Sequence, residues 1–327
     1  MNLFKHSGPA IGIDLGTNNI LVYVRNKGVV VKEPSVMAVD AKTQKIVAVG
    51  QKAKQMQGRT HAGINVIQPI RDGVVADFKV ASELIQYYVK ELTSNGIANR
   101  KPLIVITTPT HLTSVERRAV KDAALQTGAK EAVVVEEIFA AAIGAGLPVW
   151  DPTGSMIVDI GGGTTEVAII SLGGVVVSNS IKIAGDEMDR LIIKHVKAKH
   201  RLLIGDSTAE QIKMHIFTDE QNGKMAIRGR DLVKGLPHMI EVTAEEIEAA
   251  LKETIGQITT VIIRTLELTP PELAADVIDR GLLLSGGVAL LPNLVNIISD
   301  ATHLPVILSD HPLDNVALGI AKLIEEN

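Results

Sequence analysis

Apolar positions in this chain follow two rhythms. Short runs of aliphatic, often β-branched residues have the length and content of strands: AIGIDLG, NILVYVR, GVVVKEPSVMAV, KIVAVG, PLIVITTP, EAVVVEE, SMIVDIG, TEVAIISL, GVVVSNSI, GLLLSGG and PVILS. Helical patterns lie between many of them. Thr113 precedes Glu116 by three positions, Thr208 precedes Gln211, and Thr243 precedes Glu246, a capping-box spacing that predicts three helix starts. In TPPELAADVIDRG, Thr269 is expected as N-cap, Pro270 as the first helical residue and Gly281 just past the end. The uncharged run VAIISLGGVVVSNSI is expected to fold back at Gly173-Gly174 as a hairpin. Strands mixed with helices in this way imply an α/β chain with mixed sheets. The Gly- and Pro-rich stretch from Gly144 to Gly154 is the best linker candidate.

One pattern occurs twice. AIGIDLGTNNILVYV and SMIVDIGGGTTEVAII share a grammar of apolar strand, Asp-x-Gly, small polar residues and apolar strand, with Asp14 and Asp159 about 145 positions apart. Two similar domains, each presenting the same hairpin turn, would explain the repeat. Glycines let backbone N–H groups approach anionic oxygens, and Thr17, Thr164 and Thr165 add hydroxyl donors. Asp14 and Asp159 have the chemistry to hold a hydrated magnesium ion, which keeps most of its waters and favours one or two carboxylates plus phosphates. Two such hairpins face to face would clamp a polyphosphate; the plainer alternative is a pair of tight turns with solvated aspartates. There is no G-x-x-x-x-G-K-[ST] and no strand-linked G-x-G-x-x-G, so neither a P-loop nor a Rossmann site is indicated.

Composition narrows the partners. The chain has 327 residues, enough for two domains, and 46% of them are hydrophobic. Aromatics at 2% and a formal charge of -4 argue against nucleic acid as a partner. With no cysteine, disulfides and thiolate metal sites are excluded, which suits a reducing cytoplasm. No run approaches the roughly 18 apolar residues of a membrane span.

DLGT, DIGGGTTEVA, VVEE-x-FAAAIGAG, AGDEMD, LLIGDSTAEQIK, TPPELAADVIDRG and LLLSGG, in this order from about residue 10 to residue 322, resemble the MreB-type bacterial actins. The resemblance implies an actin-like two-domain ATPase fold, with ATP and magnesium in the cleft between duplicated mixed-sheet domains. It implies domain I over 1–145 plus 313–327, with a small insert at roughly 39–69, and domain II over 146–312, with an insert at roughly 186–255. By the same resemblance Thr17, Asn18 and Asn19 form the first phosphate loop, and Gly161, Gly162, Gly163 and Thr164 the second. Glu210, Gln211, Ile212 and Lys213 would lie on the ribose and adenine side, and Gly286, Gly287, Val288 and Ala289 would form a turn against the base. Read without the resemblance, Glu210 and Lys213 are an i,i+3 surface ion pair. Glu137 is implied as the carboxylate that positions the attacking water, with Glu136 beside it structural. Asp14 and Asp159 are implied as magnesium residues acting through water.

Two departures from the family pattern stand out: Ile138 replaces a proline after Glu137, and Val288 replaces a third glycine. A β-branched residue at 288 should keep a negative φ. The resemblance further implies head-to-tail filaments, cell-elongation membrane proteins as partners, and a peripheral position on the inner face of the cell membrane. Contact there would fall to Ile97 and Ala98, which offer less apolar area than a Leu-Phe pair and so insert more weakly, aided by Arg100 and Lys101; Leu3 and Phe4 are either a second anchor or a frayed terminus. A small-molecule kinase of the same superfamily, a DnaK-type chaperone and a filament that positions plasmids or organelles are the alternatives.

Overall fold

The computed structural model describes residues 8–71, 74–94, 101–110, 112–217 and 223–325. The chain opens with an antiparallel meander, β1 (Ala10–Leu15), β2 (Asn19–Val24) and β3 (Gly28–Pro34). A small layer follows, built from β4 (Met37–Asp40), β5 (Ile46–Val49), α1 (Gln51–Met56) and β6 (Ile64–Ile67), with the short ribbon β7 (Ile70–Arg71) and β8 (Val74–Val75) beyond it. Next come α2 (Phe78–Leu92), β9 (Leu103–Thr108), α3 (Ser114–Leu125), β10 (Glu131–Glu136) and α4 (Glu137–Gly144). A second meander is β11 (Ser155–Ile160), β12 (Thr165–Ser171) and β13 (Gly174–Ile181). After it come α5 (Gly185–His200), β14 (Leu202–Leu203), α6 (Asp206–His215), β15 (Lys224–Asp231), β16 (Pro237–Thr243), α7 (Ala244–Glu267) and α8 (Pro271–Arg280). The chain closes through β17 (Leu282–Ser285), a 3-10 turn at Gly287–Leu290, α9 (Leu294–Thr302), β18 (Val306–Leu308) and α10 (Asn315–Glu325).

The two five-stranded sheets have one topology. Their orders are β3-β2-β1-β9-β10 and β13-β12-β11-β17-β18, each a three-stranded antiparallel meander extended by two parallel strands. The duplicated hairpin grammar therefore reflects a duplicated sheet.

Strand alternation decides what each face does. On β1, Ala10 packs with Ile320 and Ile324 of α10, and Gly12 leaves room for Ile320. Asp14 shares that parity. So does Thr107, whose neighbours Leu103 and Val105 on β9 join the same cluster. In the second sheet Ile157, Ala168 and Ile170 pack with Ile138, Ala141 and Ala142 of α4. Asp159 and Glu166 share their faces. Helices α4 and α10 thus lie between the sheets, and the polar residues of that inner face collect at the strand ends.

The helices cross without side chains at the contact: a Cβ at Gly144 would overlap the Asn315 carbonyl, and one at Gly319 would overlap that of Ala140. The 144–154 stretch is accordingly no slack linker. Gly144 ends α4, Val149 is buried, and Trp150 meets Phe139 edge to face at 5.7 Å.

Capping boxes form at Thr113 with Glu116 and at Thr243 with Glu246. The expected box at Thr208 does not, because α6 already starts at Asp206 behind the extended Gly205, which places Thr208 inside the first turn. Thr269 is not a cap either. Pro271 holds Pro270 in an extended conformation, ψ 141°, so α8 begins one residue later than expected. The Thr269 hydroxyl instead donates to the Thr265 carbonyl. The hairpin between β12 and β13 turns at Leu172-Gly173, both with positive φ, one residue earlier than expected.

Gly319→Ala should force the crossing helices apart and lower stability by about 2 kcal/mol or more in urea unfolding. Gly256→Ala, in an open position within α7, should be neutral or stabilising by up to about 1 kcal/mol. Equal effects of the two would contradict the close-contact reading.

Candidate nucleotide site between the lobes

The two repeated turns have one hydrogen-bond geometry. The Gly16 N–H donates to the Asn19 carbonyl at 3.1 Å, and the Gly161 N–H donates to that of Thr164 at 3.0 Å. They also touch. A Cβ at Gly162 would collide with the Asn18 side chain, whose Nδ2 donates to Asp186 Oδ1 at 3.0 Å. Asp186 in turn donates its N–H to the Gly162 carbonyl at 2.7 Å. Glycine at 162 is thus what lets the first turn approach the second. Thr17 and Thr164 stay partly exposed, but Thr165 is fully buried and donates its hydroxyl to the Ile183 carbonyl. It is no phosphate donor, contrary to the sequence reading.

Behind these turns lies a concentration of acid. Asp14 is 7% exposed, Asp159 8% and Glu166 5%, and Glu137 stands half-buried at the first position of α4. Burial raises the Asp14 carboxyl from 3.8 to about 7, against the hydroxyl of Thr107 donating at 2.7 Å and with repulsion from Asp159 adding to the rise. Burial also raises Asp159, partly offset by Ser285. Glu137 is raised well above its ordinary value by burial first, then by Asp14, Glu166 and Asp159. Like charges held this close in a poorly solvated place call for a cation. Among the described residues no three His, Asp or Glu side chains could hold a metal ion. Asp14 and Asp159 have the oxygen chemistry that would suit a hydrated magnesium ion.

Glu136 pairs with Arg117 at 3.3 Å. Ile138, in place of the family's proline, is buried in the interlobe core and leaves Glu137 at the start of the helix.

The segments expected near ribose and base also converge. A Cβ on Gly185 would meet Lys213 Nζ at 3.1 Å and both the Gly161 carbonyl and Val288 Cγ2 at 3.4 Å. Lys213 and Glu210 do not pair with each other. Lys213 donates to the Gly185 carbonyl and to Asp189, both at 2.9 Å, while Glu210 accepts from Lys54 at 2.8 Å across the cleft. Gln211 is exposed, but Ile212 is fully buried in the second lobe's core and serves packing rather than binding. Gly286 has φ +88° and lies so close to Ile160 that any Cβ would clash. Gly287, Val288 and Ala289 form the 3-10 turn after it, Val288 without the positive φ its side chain disfavours. Val288 and Ala289 are buried.

Sequence reasoning passed over Glu166, Thr107, Thr110, Asp186 and Lys54. Glu166 and Asp186 sit inside motifs already singled out, so a carboxylate among apolar or glycine residues was the available signal. Nothing local marks Lys54 or Thr110. Ile97, Ala98, Arg100, Leu3 and Phe4 lie outside the described residues; Lys101 is exposed.

A duplicated sheet with paired phosphate-type turns and a carboxylate-lined cleft defines an actin-like nucleotide-binding fold. The profile described as MreB/Mbl protein matches residues 8–327, and the chain belongs to that family. It is 45% identical over 318 residues to the cell shape-determining protein Mbl of Bacillus subtilis, covering 96% of this chain and 95% of that protein. It is 44% identical over 322 residues to the cell shape-determining protein MreB of Escherichia coli K12, covering 96% and 93%. Among solved structures, MreB5 of Spiroplasma citri bound to AMPPNP superposes with a TM-score of 0.92 at 39% identity, covering 98% of this chain and 97% of that one. The MamK double helical filament shares the fold, with a TM-score of 0.82 at 22% identity.

The raised Asp14 value fixes the sign of a pH effect. Its folded value, about 7, lies above the ordinary 3.8, so its contribution to the nucleotide-free fold falls as pH rises between the two. Asp14→Asn removes that loss. In metal-free buffer the variant should gain in Tm over the parent as pH goes from 5 to 8. A Tm difference that is flat or shrinks with pH would contradict the buried-charge account.

Proposed function

We propose that this protein binds ATP with magnesium between its two lobes, hydrolyses it slowly, and assembles head to tail into filaments that organise cell shape at the inner face of the membrane. The observation that carries this reading is the contact of two matching Asp-x-Gly turns across a cleft with Glu137 beside them. The domain division is 1–145 with 313–327, and 146–312.

Each residue has a task set by its place. The Gly16–Asn19 and Gly161–Thr164 turns cradle the polyphosphate from opposite sides with N–H groups other than those of Gly16 and Gly161, which close the turns themselves. Asp14 and Asp159 would hold a hydrated magnesium ion, which would supply charge neutralisation at the phosphates. Glu137 orients the attacking water from the first position of α4. Phosphoryl transfer depends mainly on positioning and electrostatics, so one aimed carboxylate suffices. Glu210 and Lys213 border the ribose and base, and the turn at 286–289 closes the base pocket. Bound nucleotide draws the lobes together and favours the shape that fits the next subunit, a heterologous contact that yields an open filament. Support for self-association and nucleotide binding comes from the family and its AMPPNP-bound structural neighbour.

Glu137→Ala should reduce phosphate release at least tenfold while ATP affinity stays within about threefold, with filaments still visible by electron microscopy in ATP and magnesium. Loss of ATP binding in that variant would remove Glu137 from the hydrolytic role. A wild-type protein that passes phosphate to a sugar, with no filaments, would favour the kinase alternative. Lys54→Ala removes a half-exposed ion pair at the mouth of the cleft. Such pairs contribute about 0.2–1 kcal/mol, so release of a fluorescent ADP should quicken by at most about fivefold. Slower release would mean the pair does not restrain opening.

A further inference from the structure

Among the described residues, Glu166 is an inner-face carboxylate to which the reading above gives no task. It sits on β12 directly opposite Asp159 in the antiparallel register, 5% exposed. Its alternation partners Ala168 and Ile170 are packed against α4, so Glu166 faces the other lobe. Both of its oxygens are engaged there by a single residue. The Thr110 backbone N–H donates to Oε1 at 3.2 Å, and the Thr110 hydroxyl donates to Oε2 at 2.8 Å.

Thr110 lies just beyond β9. Three residues earlier on the same strand, Thr107 donates to Asp14 at 2.7 Å. Pro109 stands between them and limits the backbone freedom of the connection. The chain from 107 to 110 is thus a short strut. One end is hydrogen-bonded to the first lobe's Asp14, and the other to a second-lobe residue facing Asp159. A buried carboxylate whose two bonds both come from the opposite lobe loses them when the lobes separate, and leaving it buried without them is costly. That makes the bridge specific to one lobe spacing.

We infer that Glu166 is a positioning residue: through Thr110 it sets the separation of Asp14 and Asp159 that nucleotide hydrolysis requires. This rests on the ATPase reading above. Glu166 does not touch the reacting atoms in this role. It acts through the strut, so its removal should misplace the two aspartates while leaving nucleotide contacts present. The bridge should therefore appear in the rate of the chemical step far more than in affinity.

The test uses full-length Thr110→Val, Thr110→Ser, Glu166→Ala and the Thr110→Val/Glu166→Ala pair. Single-turnover phosphate release should fall at least tenfold in Thr110→Val and in Glu166→Ala. Fluorescent ADP should bind each within threefold of wild type. Thr110→Ser, which keeps both donors, should restore the rate to within twofold, and the double variant should be no slower than the slower single one. Because the sequence has no cysteine, spin labels can be placed at Lys52→Cys and Met214→Cys, both exposed and on opposite lobes. Their distance distribution should broaden in Thr110→Val and match the parent in Thr110→Ser.

Additive losses in the double variant, unchanged rates, or a distribution equally narrow in Thr110→Val would overturn the inference. So would a parallel collapse of rate, affinity and Tm in Thr110→Val that Thr110→Ser does not rescue, since that marks a merely structural residue. If the wild type binds ATP but releases no phosphate, the hydrolysis reading fails instead, and the label distances alone decide whether the bridge sets lobe spacing.

Discussion

Crowded, buried carboxyl groups at the seam between two sheets are the constraint on which the rest of this structure turns. Alternation along β1, β11 and β12 places Asp14, Asp159 and Glu166 on the same inner faces as the residues that pack against α4 and α10. Toward the middle of those faces the side chains are apolar and the helices cover them. At the strand ends the helices stop covering them, and the acids gather. Burial raises each of these carboxyls. A site that disfavours its own charge in isolation is one that a cation and a polyphosphate complete.

The glycines follow from the same demand. Gly144 and Gly319 let two helices cross backbone to backbone, bringing the sheets close enough for their turns to meet. Gly162 lets the Asn18 side chain reach Asp186, and Gly286 lets the turn after β17 press against Ile160. None of these serves flexibility. Each is a point where a Cβ would hold two pieces of backbone apart.

Much of this was legible in the sequence. The repeated Asp-x-Gly grammar announced two equivalent turns, and both carry the same i-to-i+3 hydrogen bond. The capping boxes at Thr113 and Thr243 formed because each threonine stands directly before the first helical residue. Thr208 and Thr269 failed because neighbours decided where the helix begins: an extended glycine at 205 in one case, consecutive prolines in the other. The partners of Glu166, Glu210 and Asn18 were not legible at all. They lie 56, 156 and 168 positions away in the chain, and periodicity carries information only about near neighbours. Glu210 and Lys213 show the consequence. Their spacing allowed a local pair, yet each found a distant partner once the lobes came together.

The most direct test of the account is a crystal structure of this protein with a non-hydrolysable ATP analogue and magnesium. The account predicts the phosphate tail between the Gly16–Asn19 and Gly161–Thr164 turns, with Asp14 and Asp159 each within a water's reach of one metal ion. A tail lodged elsewhere, or two aspartates too far apart to share that ion, would contradict it.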